Sequence, residues 1–312
     1  MANTTQADVV YLQPPIKAVS VIIPCKNEEE SVGPTVKNVE AVLSPLDIDY
    51  EIIVVDDGST DKTREKALFA GAKVLVHSIN MGYGNSIMDG MKIARYPVIA
   101  IMDADGTYPI SMLPSMIEKA SQHDMVIGSR VWTRDNTSIL GKFLRKSLYY
   151  LILYFSNVKA PDYNSGFRVF YKLNTLDYRS ILCPTFSFTT SLTVLYLVMM
   201  RSVYFMDIEY SKRIGISKVS YLRDTISTFS YVFILTSLFQ PYRLSIMVII
   251  LGFILNLMTM FFSFLLNLNQ SLQIGLYFMI SLIIIVVTMA INTYPTAKEY
   301  LNQLHEGQRN AS

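Results

Sequence analysis

Short runs rich in Val and Ile alternate with mixed apolar and polar stretches through the first half of the chain. Val19–Pro24, Glu51–Val55, Ala72–His77, Val98–Met102 and Met125–Gly128 read as strands, since β-branched residues bounded by Pro, Gly, Asn or Asp mark extended segments. Between them, Glu29–Leu43, Lys62–Ala70, Asn85–Ala94 and Leu113–Ala120 read as helices. This alternation predicts an α/β fold, a mostly parallel sheet with helices on both faces. Pro161 to Arg168 reads as a structured loop, and Ser187–Met200 as an apolar helix that is too short to span a bilayer and covers the sheet.

The pattern changes in the C-terminal third. From Leu244 to Ala297 no residue is charged, a stretch more than twice the about 20 residues that one membrane-spanning helix needs. The cluster Asn267-Leu268-Asn269-Gln270-Ser271 supplies a turn, which places two spans near Leu244–Leu266 and Leu272–Thr293. A soluble helical pair of that length would carry a polar face. Arg243 precedes the first span, Lys298 and Arg309 follow the second, and the turn holds no basic residue. By the positive-inside tendency both termini are cytoplasmic and the hairpin tip lies outside. Two further segments, Lys142–Phe155 and Tyr221–Phe239, set basic residues ahead of aromatic-rich apolar runs, the pattern of helices that lie in a headgroup boundary. The expected organisation is a flexible tail over 1–17, a catalytic domain over 18–220, a juxtamembrane interfacial helix over 221–242, two transmembrane helices over 243–297 and a cytoplasmic tail over 298–312.

Composition sharpens this in three places. The membrane hairpin accounts for a hydrophobic content of 51% and a mean hydropathy of +0.32. A formal charge of +2 offers no basis for bulk nucleic-acid binding. The two cysteines, Cys25 and Cys183, make neither a disulfide framework nor a metal cluster and fit a reducing compartment. The polar N-terminus, Met1 to Pro15, lacks the basic-then-apolar layout of a signal peptide.

Candidate chemistry collects after the strands. Asp103-Ala104-Asp105 follows the apolar run Pro97–Met102. Residues i and i+2 of an extended segment share a face, and open α/β sheets bind ligands at the carboxyl ends of their strands. Two carboxylates there suit Mg²⁺, which takes one or two carboxylates together with substrate phosphate oxygens. Val54-Val55-Asp56-Asp57-Gly58-Ser59 closes the second strand with two acids, and Ile23-Pro24-Cys25-Lys26-Asn27-Glu28 ends the first with a polar loop. Asn80-Met81-Gly82-Tyr83-Gly84-Asn85 supplies two glycines where backbone approaches something closely, without the spacing of a dinucleotide fingerprint. His77, His123 and His305 fall in no motif, and no Ser-His-acid set occurs.

In joint order, VSVIIPCKNEE, EIIVVDDGSTD, NMGYGNSI, MDADGTYP, VIGSR, DYNSGFR and YSKRIGISK resemble the family-two glycosyltransferases of the A-type fold over about Val19 to Ser220. The resemblance is to the polyprenyl-phosphate branch typified by dolichol-phosphate mannose synthase and bacterial polyisoprenyl-phosphate glucosyltransferases. It implies metal-dependent, inverting transfer of one sugar from a nucleoside-diphosphate sugar to an undecaprenyl or dolichyl phosphate. It also implies residues: Pro24, Asn27, Glu28, Asp56 or Asp57, and Gly82 on the nucleotide. Asp103 and Asp105 would hold Mg²⁺ or Mn²⁺ against the diphosphate. Arg130, Arg145, Ser147, Arg213, Ser217 and Lys218 would meet the acceptor phosphate. A UDP-sugar is favoured over GDP-mannose, no nucleic acid is expected, and a homo-oligomer is compatible with the branch. The expected location is the plasma membrane of a prokaryote, with the catalytic domain cytoplasmic. Competing readings are transfer to a lipid-linked saccharide or glycolipid, and a catalytically silent scaffold for a lipid-sugar flippase.

Departures from the branch pattern are specific. Cys25 and Lys26 stand where an aromatic is common, and Thr107 where relatives offer Gln as a further ligand, which leaves the third metal contact open. Ser191 and Thr193 stand where a Glu is often found, and the QxxRW signature of processive polysaccharide synthases is absent.

Overall fold

The computed structural model describes residues 15–130, 139–210, 221–265, 274, 276–285 and 287–289. In chain order these form β1 (Ala18–Cys25), α1 (Val32–Leu43), β2 (Asp49–Asp57), α2 (Thr63–Phe69), β3 (Lys73–His77), α3 (Tyr83–Ile93), β4 (Val98–Ile101), α4 (Leu113–Ala120), β5 (Met125–Arg130) and α5 (Ile139–Ser156). There follow β6 (Arg168–Tyr171), α6 (Leu173–Leu176), α7 (Phe188–Val198), β7 (Val203–Ile208), α8 (Tyr221–Phe239) and α9 (Pro241–Leu265). The division into two compact units falls between Tyr231 and Val232, inside α8.

The first unit is built on a seven-stranded sheet in the order β3-β2-β1-β4-β6-β5-β7. Its central strands are apolar without alternation because they are covered on both faces: Val19 and Val21 to Ile23 of β1 and Ile99 to Ile101 of β4 are fully buried. Helix α1 lays Val32, Val36, Val39 and Leu43 on one stripe against the sheet, and α4 does the same with Leu113, Met116, Ile117 and Ala120. Helix α7 is buried at every position, including Thr189, Thr190, Ser191 and Thr193.

One strand runs against the rest. β6 lies antiparallel between β4 and β5, whereas β1–β2, β1–β4, β2–β3 and β5–β7 pair in parallel. Its first residue, Arg168, pairs with Ile101 at the end of β4 and with Ile127 near the end of β5. The loop that leads into β6 therefore arrives at the edge where the parallel strands finish. The sequence reading takes Pro161–Arg168 as a structured loop and foresees neither β6 nor β7. β6 has four residues and opens on a buried arginine, and β7 is an edge strand in which Ile208 alone is buried.

In the second unit, Pro241–Ser263 of α9 is the one helix among the described residues that is long and apolar enough to cross a membrane, with a mean hydropathy of 2.4. Leu276–Met289 is a shorter apolar helix. The two approach closely at Gly252, where a side chain would collide with Ile284. The expected turn at 267–271 lies outside the described residues, and within the expected second span the shorter apolar helix Leu276–Met289 is what the structure describes.

Candidate active site

Four parallel strands and the entry to β6 deliver loops to one edge of the sheet. The loop after β1 is knitted to the loop after β2. Asn27 adopts a left-handed conformation (φ 50°), which Asn tolerates better than most side chains. Its amide donates to Ser59 Oγ (2.9 Å) and its Oδ1 accepts from the Thr60 amide (2.8 Å). The Glu28 amide donates to Thr63 Oγ1 (2.8 Å), and Glu28 Oε2 accepts from Ser31 (3.2 Å). Pro24 pairs with Val55 in the β1–β2 register.

The two acids closing β2 do different work. Asp56 is buried and accepts through Oδ1 from the Ser59 amide (3.0 Å), the bond that turns the chain at Gly58. Asp57 has both oxygens engaged by the protein. It accepts from the Met81 amide (2.7 Å), the Gly82 amide (2.9 Å) and His77 Nδ1 (2.9 Å), while His77 Nε2 lies 3.5 Å from Asp89. Asp57 thus moulds the loop before α3. Gly82 takes φ 99°, and a Cβ there would sit 2.8 Å from the Pro184 carbonyl. The close approach foreseen for these glycines is made by the chain's own Cys183–Pro184 backbone, which also accepts from the Asn85 amide (3.0 Å).

Asp103 and Asp105 stand just past β4. Asp105 is buried, and its Oδ1 accepts from Thr107 Oγ1 (2.6 Å) and the Thr107 amide (3.2 Å). Thr107, a departure from the branch pattern, thereby orients its neighbouring acid. Asp103 is half-buried and accepts from the Tyr83 hydroxyl (3.0 Å). Gly166 lies against it: a Cβ there would be 3.1 Å from both Asp103 oxygens. Burial, together with the nearby Asp103 charge, pushes the Tyr83 and Tyr108 phenols well above their ordinary range, so both remain protonated donors or acceptors at neutral pH.

The loop into β6 binds the remaining pieces through each residue of its motif. Asp162 takes the Arg130 guanidinium in a fork, Nε at 2.6 Å and Nη2 at 2.9 Å, and also accepts from the Arg130 amide (3.1 Å). Burial alone would lower the Arg130 pKa, but the Asp162 partner outweighs it and holds it above the ordinary value. The guanidinium also lies 5.3 Å from the centre of the Tyr210 ring. Tyr163 donates to the Arg145 carbonyl on α5 (3.4 Å), and Asn164 Oδ1 accepts from Thr189 (2.7 Å) and Thr190 (3.0 Å) on α7. The Gly166 amide donates to Tyr108 Oη (2.8 Å).

Arg168, fully buried, donates to the Ser165 carbonyl, the Thr189 carbonyl (2.9 Å) and Thr193 Oγ1 (3.1 Å). With neutral acceptors around it, burial pushes its pKa down to about 10. Thr193, where the branch often carries Glu, serves here as a hydroxyl acceptor for that arginine.

Arg145 and Ser147 are half-buried on α5, which packs against α7, buries Leu148, Ile152 and Phe155 and leaves Lys142, Phe143, Lys146, Tyr150 and Tyr154 exposed. Arg213, Ser217 and Lys218 lie outside the described residues. Among the predicted residues, the edge gathers Pro24, Asn27, Glu28, Asp56, Asp57, Gly82, Asp103, Asp105 and Arg130. Tyr83 and Asp162 sit inside motifs that were quoted without a role for them. His77 carries no sequence signal, since its work depends on facing Asp57 and Asp89 at once.

Among the described residues no group of three or more His, Cys, Asp or Glu forms a metal cage. Asp103 and Asp105 offer a divalent ion two hard oxygen ligands, and bare Gly166 leaves open the space that a Cβ would fill beside Asp103. That set fits Mg²⁺ or Mn²⁺ completed by phosphate oxygens and water, and does not fit a structural zinc site.

The model of Glycosyl transferase family 2 matches residues 20–174. This stretch is a family 2 glycosyltransferase domain. The chain is 31% identical over 163 residues to an undecaprenyl-phosphate 4-deoxy-4-formamido-L-arabinose transferase of Klebsiella pneumoniae, covering 50% of each chain. It is 32% identical over 182 residues to a dodecaprenyl-phosphate galacturonate synthase of Rhizobium johnstonii, covering 54% of this chain and 52% of that one. The chain thus spans about half the length of these curated relatives. Among solved structures, glucosyl-3-phosphoglycerate synthase of Mycobacterium tuberculosis in complex with Mg²⁺ and uridine diphosphate superposes with a TM-score of 0.56, 14% identity, and coverage of 70% of this chain and 79% of that one. That likeness is one of fold.

Proposed function

We propose that this glycosyltransferase is anchored in a membrane and moves a single sugar, with inversion, from a nucleoside-diphosphate sugar to a polyprenyl phosphate. The observation that carries the reading is the acid pair Asp103 and Asp105, hydrogen-bonded by the Tyr83 and Thr107 hydroxyls, at the edge where the loops of β1, β2, β5 and β6 converge. Similarity to two transferases named for undecaprenyl and dodecaprenyl phosphate supports the acceptor class.

In this reading Asp103 and Asp105 hold Mg²⁺ or Mn²⁺ against the donor diphosphate. When bound, the ion stabilises charge developing on the departing nucleoside diphosphate. Asp57 is already spent on Met81, Gly82 and His77. Asp56 is therefore the member of its pair that meets the base or ribose, beside Pro24, Asn27, Glu28 and Gly82. In this reading Arg130 meets the acceptor phosphate together with Arg145, Ser147, Arg213, Ser217 and Lys218, since guanidinium groups suit phosphate oxygens. A phosphate monoester is an anion at neutral pH, so it attacks the anomeric carbon without a general base. The three histidines have no part in the transfer.

Exposed Phe143, Tyr150 and Tyr154 beside Lys142 and Lys146 on α5 suit a headgroup boundary. Helix α9 and Leu276–Met289, in contact at Gly252 and Ile284, support a two-helix membrane hairpin, and the basic residues Arg243, Lys298 and Arg309 favour cytoplasmic ends for it. The test is to screen UDP- and GDP-sugars against a short polyprenyl phosphate in detergent with Mg²⁺ or Mn²⁺. The reading expects label in a mild-acid-labile lipid product. Label in a lipid-linked saccharide or glycolipid instead, or no transfer with any donor, overturns it.

A further inference from the structure

We infer that Tyr83 is the positioning residue of the acid pair: its hydroxyl fixes the Asp103 carboxylate in the orientation that a divalent ion requires. The inference rests on the metal-dependent reading above and names a residue of that site which the reading leaves without work. The Tyr83 hydroxyl donates to Asp103 Oδ1 at 3.0 Å. Tyr83 itself is held from several sides. Its ring stacks on Phe186 with centroids 5.8 Å apart. It opens α3, whose preceding residues Met81 and Gly82 are tied through their amides to Asp57 at 2.7 and 2.9 Å.

Gly166 faces both groups. A Cβ on that residue would lie 3.0 Å from Tyr83 Oη and 3.1 Å from each Asp103 oxygen. A side chain at this position would therefore crowd the hydroxyl and the carboxylate at once. Asp105 is held by a comparable device, the Thr107 hydroxyl at 2.6 Å together with the Thr107 amide at 3.2 Å. Carboxylates that ligate metals depend on such outer partners for their orientation, and removal of one weakens metal binding by about 10- to 100-fold. Tyr83 also makes the link between two halves of the site: Asp57 sets the loop, the loop sets Tyr83, and Tyr83 sets Asp103.

Tyr83→Phe keeps the ring on Phe186 and removes only the hydroxyl. The experiment measures Mn²⁺ affinity of the full chain in detergent by electron paramagnetic resonance, with saturating UDP and in parallel GDP. Metal-free nucleotide affinity and the thermal midpoint are measured on the same samples. The expected result is Mn²⁺ binding weakened about tenfold or more, with metal-free nucleotide affinity and midpoint unchanged. Gly166→Ala, which forces the same contact apart from the other side, is expected to weaken Mn²⁺ in the same way and serves should Tyr83→Phe fail to fold. Unchanged Mn²⁺ affinity in the folded variants overturns the role of Tyr83 and leaves the transferase reading standing. A wild-type chain that binds no Mn²⁺ with either nucleotide overturns the metal reading, and this inference with it.

Discussion

Replacing Asp162 with alanine strips the Arg130 guanidinium of its carboxylate in a place that water hardly reaches. The side chains of Arg130 and Asp162 are only 14% and 4% exposed, and Asp162 accepts from Arg130 N, Nε and Nη2 at 3.1, 2.6 and 2.9 Å. Solvent screening, which reduces surface pairs to about 0–1 kcal/mol, does little here. Removing one partner of a buried pair costs about 3–5 kcal/mol, because the other charge is left behind without compensation. With about 2–4 °C lost per kcal/mol for a unit of this size, the thermal midpoint should fall by roughly 10 °C. The natural assay is thermal unfolding of the full chain in detergent at neutral pH, followed by near-ultraviolet circular dichroism. Asp162→Asn retains one acceptor oxygen and should fall between wild type and alanine. The double variant Arg130→Met with Asp162→Leu should recover most of the loss, since an apolar pair of similar volume replaces a buried ion pair at little cost. A fall smaller than about 2 °C for Asp162→Ala, or strictly additive losses in the double variant, would refute the argument.

Three further outcomes follow from the same geometry. Asp57→Asn removes acceptor capacity from the Met81 and Gly82 amides and from His77; steady-state kinetics should show donor KM rising about fivefold for each bond weakened, about 1 kcal/mol apiece, with acceptor KM unchanged. Thr107→Val leaves Asp105 without its 2.6 Å hydroxyl partner and should lower kcat/KM by about tenfold while the fold is kept, as read by activity at fixed metal beside circular dichroism. Alkaline titration should expose the buried tyrosines. Burial raises the pKa of Tyr83, Tyr108 and Tyr196, so the stability they contribute is complete below about pH 10, their unfolded value, and is lost above it at roughly 1.4 kcal/mol per pH unit for each group. Arg168, pushed down to about 10, works in the opposite direction over the same window, so the three phenols prevail. Tyrosinate absorbance for these residues should appear only together with loss of the circular dichroism signal, and ionisation in the folded state would contradict their burial.

Much of the sheet is legible from local pattern. β1 to β5 and the helices between them follow from apolar runs that are covered on both faces and from stripes such as Val32, Val36, Val39 and Leu43. β6 escapes because four residues opening on an arginine carry no strand signal; what makes them a strand is pairing with Ile101 and Ile127. The Asp103–Asp105 pair is visible because period-two spacing at a strand end survives without tertiary information. The contacts that hold it do not share this property. Tyr83 meets Asp103 across 20 positions, His77 meets Asp57 across 20 and Arg130 meets Asp162 across 32. Each depends on which strands are neighbours, and the antiparallel entry of β6 is what brings Asp162 and Gly166 to the edge at all. The roles of Asp56 and Asp57 separate only once Asp57 is seen bonded to Met81, Gly82 and His77.

The most direct measurement is transfer of labelled sugar to polyprenyl phosphate by wild type, Asp103→Asn and Asp105→Asn, titrated with Mn²⁺ after chelation. The account predicts wild-type activity that vanishes with chelator and returns with metal. It also predicts folded variants in which added metal restores less than about one hundredth of that rate. Wild-type transfer that survives chelation, or near-normal transfer by both variants, would contradict it.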